Sequence, residues 1–242
     1  MFDRAVIFDN DGVLIHSFPS FAEFYGRHLQ EEFDLRISPL QQAIFFKGRS
    51  FKQNQGLLIR AFREQKDMVL PPNFMQHGEA VCKKIIERHG MVAIPGMADV
   101  ISILKTRGWK VGVASNGRRD EVGLKLKISG LEKHFNGYAY SADCVSRPKP
   151  APDMILYAAQ SMGVPVEMCV YVGDSLNDMK AAKEAGCFAV ASMADYASYD
   201  AAGNFIACPD WIHELWPSFI ESGASRMIQS PQALLDLPVF RQ

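Results

Sequence analysis

Two aspartates one residue apart, Asp9 and Asp11, follow the apolar run Ala5-Val6-Ile7-Phe8. Two more, Asp174 and Asp178, follow Met168-Cys169-Val170-Tyr171-Val172-Gly173, and Ser115-Asn116 follows a third run, Val111-Gly112-Val113-Ala114. If those runs are strands of one sheet, the carboxylates gather at one edge and repel one another unless a cation sits among them. A hard, oxygen-seeking ion such as Mg²⁺ suits a few carboxylates plus waters and a substrate phosphate. Lys149 lies between Pro148 and Pro150 in the loop Arg147–Pro152 and offers a second positive charge on a restrained backbone. Such a set handles anions.

Each element alone has a plainer reading. An Asp after a strand is commonly a turn or cap residue. Ser175 ahead of Leu176 fits a helix N-cap, with Asn177 and Asp178 stabilising the first turn. Lys149 alone reads as a solvated loop lysine. The chemical reading rests on their joint arrival at strand ends, because ligands of open parallel sheets bind beyond the carboxyl ends of the strands.

The elements that must position these residues are legible from periodicity. The apolar runs show no polar alternation, which suits strands buried on both faces of a parallel sheet, and Cys187-Phe188-Ala189-Val190-Ala191 is a weaker copy. Between them lie helical stretches: Val100, Ile101 and Leu104 ahead of Gly108, a segment from Pro152 to Gly163, and Leu176, Met179 and Ala182 ahead of Gly186. Proline in the first turn and glycine after the last match helix boundaries. The alternation predicts an α/β fold with a doubly wound parallel sheet. Residues 16–92 break the rhythm with three apolar stripes at helical spacing: Phe21, Phe24/Tyr25, Leu29 and Phe33; Phe51, Leu58 and Phe62; Phe74, Val81 and Ile85. They read as an inserted all-helical cap domain, with residues 1–15 and 93–242 forming the sheet domain. The tail beyond Cys208 reads as one terminal helix and a loosely packed end.

Taken together, Asp9-Asn10-Asp11-Gly12-Val13-Leu14, Ser115-Asn116-Gly117, Lys149 and Gly173-Asp174-Ser175-Leu176-Asn177-Asp178 resemble the four motifs of the haloacid dehalogenase superfamily. The branch they are most similar to holds capped phosphatases and β-phosphoglucomutase. The resemblance spans residues 5 to 192 and implies a Rossmann-like core. It implies Asp9 as the nucleophile that becomes an aspartyl-phosphate, and Asp11 as the acid for the leaving alkoxide and the base for water. Asp9, Asp174 and the backbone carbonyl of Asp11 would hold Mg²⁺, with Asp178 as a further carboxylate. Ser115 and the Asn116 backbone would bind phosphoryl oxygens, and Lys149 would neutralise the transferring group. Asp11 argues against dehalogenases and phosphonate-cleaving relatives, which lack an acid there. His16 stands where this branch has Asp, and Asn10 replaces a more common apolar residue with its side chain expected to point away. The stretch Phe46–Lys52 resembles the branch's substrate-specificity loop, with Ser50 as a candidate helix N-cap. Lys47, Arg49 and Lys52 would then contact the substrate, unless they are only a solvated basic turn.

Composition narrows the partners. Lys and Arg number 26 against 27 Asp and Glu, a net charge of −1, and apolar residues make up 48%. That balance gives no footprint for nucleic acid or a membrane surface. No apolar stretch approaches the roughly 20 residues of a membrane span, and the N-terminus has no signal-peptide layout. Five widely spaced cysteines without a Cys-x-x-Cys pair read as small buried hydrophobes in a reducing compartment. The histidines other than His16 (His28, His77, His89, His134 and His213) show no ligand spacing and read as surface or packing residues. The expectation is a cytoplasmic, monomeric, Mg²⁺-dependent phosphatase acting on a small phosphorylated metabolite such as a sugar phosphate. A phosphomutase on the same core is the first alternative, and a phospho-aspartate signalling or binding-only domain the second. A receiver carries its phosphorylated Asp on a central strand and has no helical insert. No Gly-x-x-x-x-Gly-Lys-Ser/Thr loop or Gly-x-Gly-x-x-Gly turn occurs, and Asp9–Ser20 fails as an EF-hand because Ser20 stands where Glu is needed.

Overall fold

The computed structural model describes residues 3–49 and 51–241. It divides into two compact units, Met1–His16 with Val92–Gln242, and Ser17–Met91.

The first unit contains strands β1 (Arg4–Phe8), β2 (Trp109–Ser115), β3 (Ala139–Ser141), β4 (Cys169–Gly173), β5 (Phe188–Ser192), β6 (Ser198–Tyr199), β7 (Phe205–Ala207) and β8 (Arg226–Ile228). Six of them form one sheet in the order β3-β2-β1-β4-β5-β8, and β6 and β7 make a small antiparallel ribbon. Every pairing in the six-stranded sheet is parallel. The α/β reading therefore holds. Ala5, Val6, Ile7, Phe8, Val172 and Val190 are fully buried, as expected for strands covered on both faces. The register pairs Phe8 with Val113 on one side and Val172 on the other, which brings the chain after β1, β2 and β4 to the same edge.

Helices Met97–Thr106, Asp153–Ser161 and Leu176–Ala185 occupy the stretches where periodicity places them. Gly186 takes a left-handed φ of 82° to end the last of these, a conformation that costs a side-chain-bearing residue about 1 kcal/mol or more. The two passages between the units run side by side: His16 N–H donates to Val92 C=O at 2.8 Å, and Ile94 N–H to Leu14 C=O at 2.9 Å.

The tail departs from expectation. Beyond the helix Trp216–Ser222 it adds β8 to the sheet and ends with Phe240 fully buried, its ring 4.8 Å from that of Trp109. Three-residue strands such as β3 and β8 are too short for an apolar run to announce them. The cysteines also differ in part: all five are free, but only Cys169 is buried.

The second unit is helical. Segments Phe18–Ala22, Glu23–His28 and Leu29–Phe33 run on without a break, the middle one wound as a π-helix, and Gln55–Lys66 and Phe74–His89 follow. Its core is Phe24, Tyr25, Leu29, Leu35, Ile37, Phe46, Leu58, Phe62, Phe74 and Ile85, which draws on all three apolar stripes. Ser50, the candidate N-cap, lies outside the described residues, and the following helix starts at Gln55 with Asn54 before it. The Asn54 amide instead donates to Tyr25 Oη at 2.9 Å and to Phe46 C=O at 3.1 Å.

Candidate active site

Asp9 leaves β1 beside β4, its N–H donating to Val172 C=O at 2.8 Å. Asp174 is the first residue after β4, and Asp178 sits in the first turn of the helix that follows. One oxygen from each of these three buried carboxylates lies within 4.8 Å of the others.

Into this cluster Lys149 points its ammonium, itself only 4% exposed. Its Nζ donates to Asp178 Oδ1 at 2.7 Å, to Tyr171 Oη at 2.7 Å and to Ala114 C=O at 3.0 Å, and lies 2.9 Å from Asp9 Oδ1. A buried lysine survives only with such partners. Burial alone would lower its pKa, but Asp178 and Asp9 outweigh that and hold it above its ordinary value. Burial pushes the Asp9 carboxyl up to about 6, opposed by Lys149 and reinforced by Asp178. Burial also acts to raise Asp178, but Lys149, Ser175 and Tyr171 together hold it down.

The loop carrying Lys149 is clamped from β2. Asn116 Nδ2 donates to Lys149 C=O at 2.8 Å, and Lys149 N–H donates to Asn116 Oδ1 at 2.9 Å. The Lys149–Pro150 peptide is cis. Ser115, next to Asn116, is buried, and its hydroxyl accepts from Gly117 N–H at 3.2 Å.

For Ser175 and Asp178 the capping reading and the chemical reading coincide. The Ser175 hydroxyl accepts from Asp178 N–H at 3.3 Å, and Asp178 Oδ2 accepts from Ser175 N–H at 3.0 Å and from its hydroxyl at 2.5 Å. The cap aims Oδ1 at Lys149. Both Asp178 oxygens thus carry protein hydrogen bonds, which makes it a holder of Lys149 before it is a metal carboxylate. Gly173 permits this arrangement, because a Cβ there would stand 2.3 Å from Asp178 Cβ.

Asp11 is near enough to Asp9 to help raise its carboxyl, but its own side chain is 40% exposed, with both oxygens 2.7 Å from Lys125 Nζ. Burial would lower Lys125, but Asp11 outweighs it and the ammonium is held above its ordinary pKa. Lys125 and Tyr171 were both invisible as site residues. Lys125 sits in the last turn of the helix Arg119–Ile128 with no motif around it. Tyr171 carried one signal, a hydroxyl inside an otherwise aliphatic buried strand, which must find a partner. His16 Nδ1 lies 2.8 Å from the carboxylate Oδ1 of buried Asp195, which accepts its hydrogen bond. Asn10 is fully buried, and its amide meets no hydrogen-bond partner among the described residues, a cost of about 1–3 kcal/mol.

The structure thus brings Asp9, Lys149, Asp174 and Asp178 into one cluster, with Asn116 clamping the Lys149 backbone and Ser115 buried next to it. Lys47, Arg49 and Lys52 belong to the helical unit, between its Gln42–Phe46 and Gln55–Lys66 segments. Lys47 is buried with its Nζ 5.8 Å from the centre of the Phe18 ring, whereas Arg49 and Lys52 are exposed.

Residues 4–186 match the model of the haloacid dehalogenase-like hydrolase family. The chain belongs to that family. Among the relatives of this haloacid dehalogenase-like hydrolase, phosphoglycolate phosphatase of Escherichia coli K12 is 28% identical over 200 residues, 76% of this chain and 79% of that protein. Protein SUPPRESSOR OF QUENCHING 1, chloroplastic, of Arabidopsis thaliana is 33% identical over 234 residues. That match takes in 96% of this chain but only 22% of the Arabidopsis protein. A solved hydrolase of the same family from Deinococcus radiodurans, with bound phosphate and sodium, superposes with a TM-score of 0.74 at 26% identity, covering 99% of this chain and 98% of that one. Among the described residues no helix is long and apolar enough to cross a membrane.

Proposed function

We propose that this hydrolase is a Mg²⁺-dependent phosphatase that cleaves a small phosphomonoester in two steps through Asp9. The observation that carries the reading is the buried lysine held against Asp178 with Asp9 Oδ1 2.9 Å away and Asp174 alongside. Three ionisable carboxylates beside one ammonium leave an excess of negative charge that a hard dication would balance, and an all-oxygen donor set suits Mg²⁺. Asp9, Asp174 and the Asp11 backbone carbonyl would hold the ion. When bound, it draws charge from the phosphoryl oxygens and lets a carboxylate approach a dianion.

In the first step an Asp9 oxygen attacks phosphorus, the bond from phosphorus to the ester oxygen breaks, and Asp11 gives that oxygen its proton. In the second, Asp11 takes a proton from water, the water oxygen attacks phosphorus, and Asp9 is released as a carboxylate with inorganic phosphate. Lys149 neutralises the transferring group throughout, and Ser115 with the Asn116 N–H binds its oxygens. The Lys125 ion pair exists only while Asp11 is ionised, which is the form that takes the proton from water. Lys47, Arg49 and Lys52 of the cap select the ester, a sugar phosphate or related metabolite. The phosphoglycolate phosphatases among the relatives make 2-phosphoglycolate the first compound to assay. Five free cysteines suit a reducing compartment such as the cytoplasm.

The test is phosphate release from a panel of phosphorylated metabolites, with and without Mg²⁺, by the wild type and by Asp9→Asn. Mg²⁺-dependent release that falls at least about 1000-fold in the variant supports the reading. Undiminished release by Asp9→Asn would falsify it, and isomerised sugar phosphate in place of free phosphate would make the protein a mutase.

A further inference from the structure

The helical unit holds a second group of ligating side chains, remote in sequence from the motifs of the sheet edge. His28 closes the π-helical segment, Glu32 lies four residues on in Leu29–Phe33, and His77 lies in the first turn of Phe74–His89. His28 Nε2 is 3.0 Å from Glu32 Oε2, His77 Nε2 is 3.7 Å from Glu32 Oε1, and one ligand atom from each of the three residues lies within 4.8 Å of the others. Two imidazoles and a carboxylate thus converge from two helices; the reading of His28 as lacking ligand spacing overlooked Glu32 four residues on, on the same helix face.

We propose that His28, Glu32 and His77 bind a divalent transition-metal ion of the Zn²⁺ class. Bonds of 2.0–2.1 Å in tetrahedral array put neighbouring ligand atoms about 3.3 Å apart, a spacing that small side-chain rotations reach from ligand atoms already within 4.8 Å of one another. Imidazole nitrogens select Zn²⁺, Cu²⁺ or Ni²⁺ over Mg²⁺, so the site is chemically distinct from the all-oxygen cluster at the sheet edge. Three protein ligands leave the fourth position to water.

Aromatic packing frames these ligands. The His28 ring lies 5.3 Å from that of buried Phe24 and 6.5 Å from that of Phe33. Phe33, next to Glu32, packs on Phe62 and on Phe74 at 5.4 and 5.3 Å, and Phe74 sits three residues before His77. The aromatic cluster therefore fixes the helix bearing His28 and Glu32 against the helix bearing His77. The side chains themselves stay accessible at 21%, 41% and 57% exposure, which leaves an entry path. An ion here ties the two helices together and stabilises the unit by mass action.

The test is calorimetric titration of the full chain with ZnCl₂ in excess Mg²⁺ at neutral pH, for the wild type, His77→Ala, His28→Ala and Glu32→Gln. In parallel, Co²⁺ serves as a spectroscopic stand-in. The excess Mg²⁺ occupies the carboxylate cluster, and the difference between wild type and variants reads only this site. Expected are one Zn²⁺ bound per chain and at least tenfold weaker binding in each variant. A Zn²⁺-induced rise in melting temperature and tetrahedral Co²⁺ bands should appear in the wild type and be absent from His77→Ala. Equal melting temperatures of the metal-free proteins show that the exposed His77 and the near-isosteric Gln leave the fold intact. No Zn²⁺ binding, or equal binding by wild type and all three variants, overturns the proposal. Neither readout depends on hydrolysis, so the phosphatase reading stands or falls separately.

Discussion

Lys125, outside every motif, is the residue that pairs with Asp11. Its ammonium meets both Asp11 oxygens at 2.7 Å, and its charge is kept by that pairing despite the burial of its stem. Lys125→Met should therefore slow the water-activating step more than the first transfer. The expected outcome is a kcat lowered about tenfold or more, equivalent to ~1.4 kcal/mol of barrier, with phosphorylated protein accumulating in the steady state. Rapid-quench measurement of the bound phosphoryl group checks this, and Lys125→Arg should restore part of the loss because it keeps the charge. An equal loss in both steps would make Lys125 merely structural. Asp9 and Asp174 were legible because they stand at strand ends, where chain direction and position coincide, and Lys149 because prolines on both sides restrain its loop. Lys125 was not, because a helix face reveals which residues share it but not which site it overlooks.

At the scale of elements, the short link from β4 to the helix Leu176–Ala185 does the most positioning. Ser175 caps that helix, and the same hydrogen bonds orient Asp178 toward Lys149. Gly173 leaves room for the turn. Adding one methyl at Gly173 puts a Cβ 2.3 Å from Asp178 Cβ, so the helix start or the Asp178 side chain must shift. Gly173→Ala should cost about 1–3 kcal/mol of stability, in the range of overpacked sites, and lower activity by a larger factor than the stability loss explains. Thermal unfolding and steady-state kinetics on the same preparation measure both. Four of the strands were visible as apolar runs, and the helices between them as capped periodic stretches. β3 and β8 escaped because three residues carry no period, and the tail was misread because its anchors, the Phe240 ring and the pairing of β8 with β5, are contacts distant in sequence.

Across the whole molecule, a near-neutral chain gathers three buried carboxylates around one buried ammonium. Burial raises the Asp9 carboxyl to about 6, so the folded protein holds this proton more tightly than the unfolded chain does. In the metal-free protein that contribution to stability is present at low pH and lost as the pH rises through about 6. Mg²⁺ needs the ionised form and relieves its repulsions, so its stabilising effect should be larger at about pH 7.5 than at about pH 5. Melting temperatures with Mg²⁺ and with a chelator at both pH values check this, and an equal shift at both would contradict it. The most direct test of the account is to quench the wild type in acid during turnover of a hydrolysed phosphomonoester and locate the phosphoryl group by peptide mass spectrometry. The account predicts a hydroxylamine-sensitive phosphoryl group on Asp9 that is absent from Asp9→Asn. Continued turnover with no phosphoryl group on Asp9, or with one on another residue, would contradict it.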